Sequence, residues 1–140
     1  MNVNEEVLKA IKQLALTPEA IQQCISAEAA AIITQAKANF VKGNPRVWWL
    51  SLSQPFKTYD VVDFDSFDYF DKFLHQDSEF IWFIPEPDNE LEEMVVFKST
   101  SCALKEVLGE CPFFEYYILT PDFKTLLIEN DHNEIIVCNV

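Results

Sequence analysis

The sequence predicts an α+β domain in which N-terminal helices pack on an antiparallel sheet of five to six strands that ends in a C-terminal meander. Three observations carry that expectation. Residues 1–42 place apolar side chains at helical spacing, and residues 113–138 alternate apolar runs with turns too short for anything but antiparallel neighbours. The composition, 12 Phe, 4 Tyr and 3 Trp against 2 Gly, argues for a packed globule. At 140 residues the chain fits one domain, which buries roughly two thirds of the surface its unfolded form exposes. The expected division is a helical part over 1–42 and a mainly antiparallel sheet with two short helices over 46–140.

Taken in order, Asn4 is the expected cap of a first helix through Val7, Leu8, Ile11 and Leu14, ending near Ala15. Thr17-Pro18-Glu19 is a second, stronger start signal, a cap followed by proline at the first helical position, and is expected to open a helix through Ile21 and Ile25. Ser26-Ala27-Glu28 restarts a helix that runs through Ala29, Ile32, Ile33 and Ala36 to Phe40, and Gly43 stops it. Arg46 to Leu52 reads as a first strand between Pro45 and Pro55, with Trp48 and Trp49 on opposite faces. From Asp65 the spacing turns helical, Phe67, Phe70, Phe73 and Leu74 opposing Asp68, Asp71 and Lys72.

Glu79 to Ile84 is near-continuously apolar, as a central strand buried on both faces would be. Glu93 to Phe97 reads as its antiparallel partner. Ser99, Thr100 and Ser101 offer caps for a short helix over Leu104, Val107 and Leu108, closed by Gly109. The meander follows as Phe113–Leu119, a turn at Thr120-Pro121-Asp122, Lys124–Glu129, a turn at Asn130–Asn133 and Glu134–Cys138.

The formal charge of −13 is confined to one part of the chain. Residues 1–58 hold four acids and six bases, whereas residues 59–140 hold nineteen acids and four bases. Residues 60–93 alone set twelve acids against one base, Lys72, and interleave them with aromatic side chains, so this stretch is expected to be folded and strongly negative. Such a field repels nucleic acid and anionic membranes and steers basic proteins in. Acidity for solubility is the plainer reading of the same numbers.

Chemistry-bearing motifs are scarce. Asp63, Asp65 and Asp68 have calcium-loop spacing, but no glycine supplies the sharp turn and no glutamate follows at the ligand distance. His75 and His132 share no ligand spacing with a cysteine; His132 reads as a turn residue tolerant of unusual backbone angles and His75 as the C-terminal residue of a helix. With Gly43 and Gly109 as the only glycines there is no phosphate-cradling loop and no nucleophile elbow. Cys24, Cys102, Cys111 and Cys138 show no C-x-x-C spacing and read as small buried hydrophobes in a reducing compartment. The N-terminus lacks a basic leader and an apolar run, and no stretch reaches membrane-span length, so the chain reads as cytoplasmic.

Phe114-Glu115-Tyr116-Tyr117-Ile118, followed by Leu126-Leu127-Ile128-Glu129-Asn130-Asp131-His132-Asn133, resembles a pattern of small bacterial toxin-immunity proteins: an aromatic E-Y-Y strand, then an apolar strand ending in E-N and a histidine turn. The resemblance implies a cytoplasmic protein that binds and blocks a cognate toxin, often a basic nuclease.

The expectation is therefore a non-enzymatic, cofactor-free binding protein, a monomer or weak dimer, whose acids cover the basic groove of a toxin domain and mimic the charge of a nucleic-acid backbone. The residues expected to face the partner are Asp63, Asp65, Asp68, Asp71, Asp88, Glu90, Glu92 and Glu93, with Tyr69 as an aromatic anchor. Two alternatives stand beside it. One is a small hydrolase or metal-dependent enzyme built on His132 with Glu129, Asp131 or Asn130, which requires a concave pocket around that histidine. The other is a regulatory module that self-associates through a sheet edge or the tryptophan strand.

Overall fold

The computed structural model describes residues 2–61, 66–74 and 80–140. Expectations placed on Asp63, Asp65 and His75, and the start of the strand at Glu79, lie outside the described residues. Chain order is α1 (Val3–Gln13), β1 (Ile21–Gln23), α2 (Ser26–Phe40), a 3-10 turn (Trp48–Leu50), β2 (Phe56–Asp60), α3 (Ser66–Phe73), β3 (Ile81–Pro85), β4 (Phe97–Ser99), α4 (Ser101–Glu110), β5 (Tyr116–Leu119), β6 (Thr125–Glu129) and β7 (Glu134–Asn139). The strands form one sheet in the order β1-β4-β3-β5-β6-β7-β2 with every pairing antiparallel. The class is α+β as expected, with seven strands among the described residues rather than five or six.

The sheet is covered on both faces. On one, Phe83, Ile118, Leu127 and Val137 pack with Val7 of α1, Phe70 of α3 and Leu104 and Val107 of α4. On the other, Trp82, Ile84, Tyr117, Leu126 and Ile136 pack with Ile32, Ala36 and Phe40 of α2 and with Trp48. Side chains alternate across a strand, so Tyr116 and Ile118 serve the first core while Tyr117 and Leu119 serve the second. This explains the unbroken apolar runs of β3, β5 and β6, which an antiparallel sheet with one wet face would not show.

The meander, the central position of β3 and the helices α2, α3 and α4 lie where the spacing placed them. Gly43, at φ +71°, ends the excursion after α2 in the left-handed region that favours glycine. Thr100 caps α4, its Oγ1 accepting from the Ala103 N–H at 3.1 Å.

Elsewhere tertiary contacts override local signals. Asn2, not Asn4, caps α1; its side chain accepts from the Glu5 N–H at 2.8 Å, and Asn4 instead reaches the Glu93 carbonyl. Thr17-Pro18-Glu19 forms a tight turn and no helix, because Ile21 is buried in β1 opposite Ser99 and the Ala20 carbonyl accepts from Thr100. Arg46–Leu52 is not a strand. The Trp48 backbone N–H donates to the Tyr117 hydroxyl at 3.2 Å and its ring packs on Tyr117 at 4.7 Å, which curls the segment into the 3-10 turn.

The edge position is taken by β2, paired with β7. The partner of β3 begins at Phe97 and not Glu93, since register sets Phe83 opposite Phe97. Likewise β5 begins at Tyr116 opposite Pro85, leaving Phe113 outside the ladder and 59 % exposed. Helix α4 runs one residue beyond Gly109. In the β6–β7 turn the left-handed residue is Asn133, at φ 57°, and not His132. All four cysteines are free thiols, and Cys102 is exposed rather than buried.

Candidate functional site

The register of the sheet collects acids at one end. Pro85, the last residue of β3, stands opposite Tyr116, the first of β5; Tyr116 stands opposite Glu129, the last of β6; and Asp60, the last of β2, stands opposite Glu134, the first of β7. The residues at or just beyond these strand ends include Asp60, Glu86, Asp88, Glu90, Glu92, Glu93, Glu115, Asp131 and Glu134. Antiparallel connectivity thus gathers acids from four separate stretches, while Lys124 stands at the opposite end, before β6.

The loop after β3 is held by its own side chains. The Asp88 N–H donates to Glu92 Oε2 at 3.2 Å and the Leu91 N–H to Asn89 Oδ1 at 2.9 Å. Asp88 Oδ2 accepts the Val3 N–H at 3.1 Å, which puts a carboxylate on the positive end of α1. Arg46 reaches in from the second core side, its Nη2 3.4 Å from the Asp88 carbonyl and its Nε 3.8 Å from Glu90. Two clefts, of about 430 and 310 Å³, share Arg46 and Glu86; Glu90 and Glu92 line the first, and Asp88, Glu115 and Asp131 the second.

Burial acts on two of these acids. It raises Glu86 above the usual carboxylate range, with Tyr117 and Arg46 acting downward and Glu115 upward. Glu115 is raised by burial too, although its carboxylate accepts the Asp131 N–H at 3.1 Å. Leu91, between Glu90 and Glu92 in the loop, is 96 % exposed, and Phe113 borders the second cleft.

The expected site residues divide between two places. Asp88, Glu90, Glu92 and Glu93 share the loop after β3. Asp68 and Asp71 lie on the exposed side of α3, and Asp71 Oδ1 takes an ion pair with Lys105 of α4 at 2.7 Å. Asp63 and Asp65 lie outside the described residues. Tyr69 is not a free anchor. It is half-buried, stacked on Phe73 and tilted against Tyr59, and its hydroxyl donates to the Asp60 carbonyl at 3.2 Å.

Sequence reasoning counted Glu86 in the acidic stretch without naming it as a site residue, and missed Glu115 and Asp131 as members of the same group, and Leu91 and Phe113 as its apolar points. The signal was their place at strand ends, legible only once strand order is known. His132 sits on the β6–β7 turn with its side chain 64 % exposed, 3.5 Å from Asp131 and edge-on to Trp49 at 5.7 Å. Among the described residues no group of three His, Cys, Asp or Glu side chains is placed to hold a metal ion.

A family described as "Family of unknown function (DUF6756)" has a model that matches residues 1–140. The chain belongs to that family. No curated protein and no solved structure matches the chain. Among the described residues no helix is long and apolar enough to cross a membrane.

Proposed function

We propose that this protein is a cytoplasmic binding protein, not an enzyme, and that the acidic end of its sheet receives a basic protein domain. The observation that carries the reading is that acids from four chain segments lie along one end of the sheet, where the loop after β3 carries the almost wholly exposed Leu91 between Glu90 and Glu92. Charged rims steer and orient a partner, whereas apolar side chains supply the anchoring contact, and this surface has both. The resemblance of residues 114–133 to toxin-immunity proteins supports a toxin domain of nuclease type as that partner, blocked by occlusion of its phosphate-binding groove. Glu90, Glu92 and Glu93 take the contact role, Asp88 positions the loop, and Asp68 and Asp71 extend the negative field along α3.

The test is affinity capture from bacterial lysates at low and at high salt, run in parallel with the chain carrying Glu90→Gln, Glu92→Gln and Glu93→Gln together. Expected is one basic protein, identified by mass spectrometry, retained at low salt by the native chain and lost both at high salt and with the triple variant. Capture that ignores salt and the three substitutions would sink the proposal.

A further inference from the structure

On the other side of the Phe113–Phe114 segment lies a cavity of about 430 Å³, a size that suits a small ligand. Among the described residues its lining is mainly apolar, and four aromatic residues, Phe67, Phe113, Phe114 and Tyr116, contribute to it. At its polar end stands Glu129, only 8 % exposed, with Ser66 beside it. The Tyr116 hydroxyl donates to Glu129 Oε1 and so holds the carboxyl in place. Tyr116 and Ser66 together take two of the roughly four lone-pair sites of a carboxylate, which leaves acceptor capacity toward the cavity.

No Lys, Arg or His is among the described residues that line it. A buried carboxyl without a cation is costly to ionise, and burial accordingly raises Glu129 above the ordinary carboxylate range, against the pull of Tyr116 and Ser66. The chemistry that answers this arrangement is a cation with an apolar body. Aromatic faces attract such a cation through their quadrupoles, and the carboxylate supplies the opposite charge. An anionic guest meets the reverse: it would enter the negative field of the acidic end and find no donor cation among the described residues of the lining.

We propose that this cavity binds an organic ammonium group on an apolar stem, with Glu129 as counter-ion and the rings of Phe67, Phe113, Phe114 and Tyr116 around it. The inference goes beyond the basic-partner reading, since its lining is distinct from the loop after β3 and it needs no protein partner to be tested. The ammonium group belongs either to a free alkylamine or to a lysine side chain presented by a protein, and the two sources share the chemistry.

The experiment titrates the full chain, at low ionic strength and followed by amide NMR, with n-butylammonium, n-butanol and butyrate, and with the peptide acetyl-Gly-Lys-Gly-amide. Expected is saturable binding of n-butylammonium, with shifts centred on Phe114, Tyr116 and Glu129 and affinity about ten-fold above that of n-butanol. Glu129→Gln should remove that advantage. Phe113→Ala, a change at an exposed side chain that folding tolerates, should weaken n-butylammonium by about three-fold or more. Saturation by the peptide as well assigns the site to lysine side chains, and saturation by the amine alone assigns it to a free amine. Equal binding of n-butanol, absence of saturation by both amines, or an unchanged affinity in both variants would overturn the proposal. None of these results depends on whether a basic protein is captured by the loop after β3.

Discussion

The Tyr116 hydroxyl donates to Glu129 across the β5–β6 pair, where register sets the two residues directly opposite each other. Both are buried, at 1 % and 8 % exposure, so each supplies the partner that water no longer can. Tyr116→Phe leaves the Glu129 carboxyl short of its donor. The expected cost is about 1–3 kcal/mol, read from the midpoint of urea unfolding at unchanged slope. A variant as stable as the native chain would show that the pair contributes nothing.

Glu86, Glu115 and Glu129 are all raised by burial, and that fixes the sign of one pH effect. Over the range between the ordinary carboxylate value and their folded values, the native state binds protons that the unfolded chain releases. Their contribution is therefore fully present below the unfolded value and lost as pH rises through the folded values. Thermal midpoints should fall on going from about pH 4.5 toward neutrality. Glu129→Gln should flatten the fall.

Trp48 and Trp49 are adjacent but unequal. Trp48 is 1 % exposed, packed on Tyr117 and bonded to it through its backbone, whereas Leu50, two residues on, is 65 % exposed. Trp48→Ala should cost about 3–5 kcal/mol and reduce the near-ultraviolet dichroism of the second core. Leu50→Ala should stay within about 0.5 kcal/mol of the native chain in denaturant unfolding.

The four thiols should separate by rate. Burial pushes Cys24 and Cys111 up to about 11 and raises Cys138, which leaves little thiolate at mildly alkaline pH. Cys102 is exposed on α4. A coloured disulfide reagent applied at about pH 8 should consume one thiol per chain rapidly, and peptide mapping should find the label on Cys102. Rapid modification of Cys24 or Cys111 would contradict the burial that raises them.

Much of this architecture was legible before any coordinates. The helical spacing of Ala29, Ile32, Ala36 and Phe40, the Thr100 cap, the unbroken apolar run of β3 and the turns at Thr120 and Asn130 each act within a few residues, so a local reading finds them. Where a segment's partner lies far off in sequence, the reading failed. Ile21 became a strand because Ser99 offers it a ladder, and the segment around Trp48 curled because the Tyr117 hydroxyl, 69 residues away, takes its backbone N–H. Tyr69 looked free for the same reason, its partners Tyr59 and Asp60 belonging to the neighbouring edge strand.

The candidate site divides in the same way. Sequence by itself determined the class of fold, the sign and segment of the charge, and a loop over Pro85–Glu90, because composition and period are properties of the chain. Tertiary structure alone decided that Glu115, Asp131 and Glu134 share one end of the sheet with the acids of that loop, and that Glu129 faces a cavity with no Lys, Arg or His among the described residues that line it. Strand order and register settle which residues share an end, and both follow from how two cores close on opposite faces of the sheet at once.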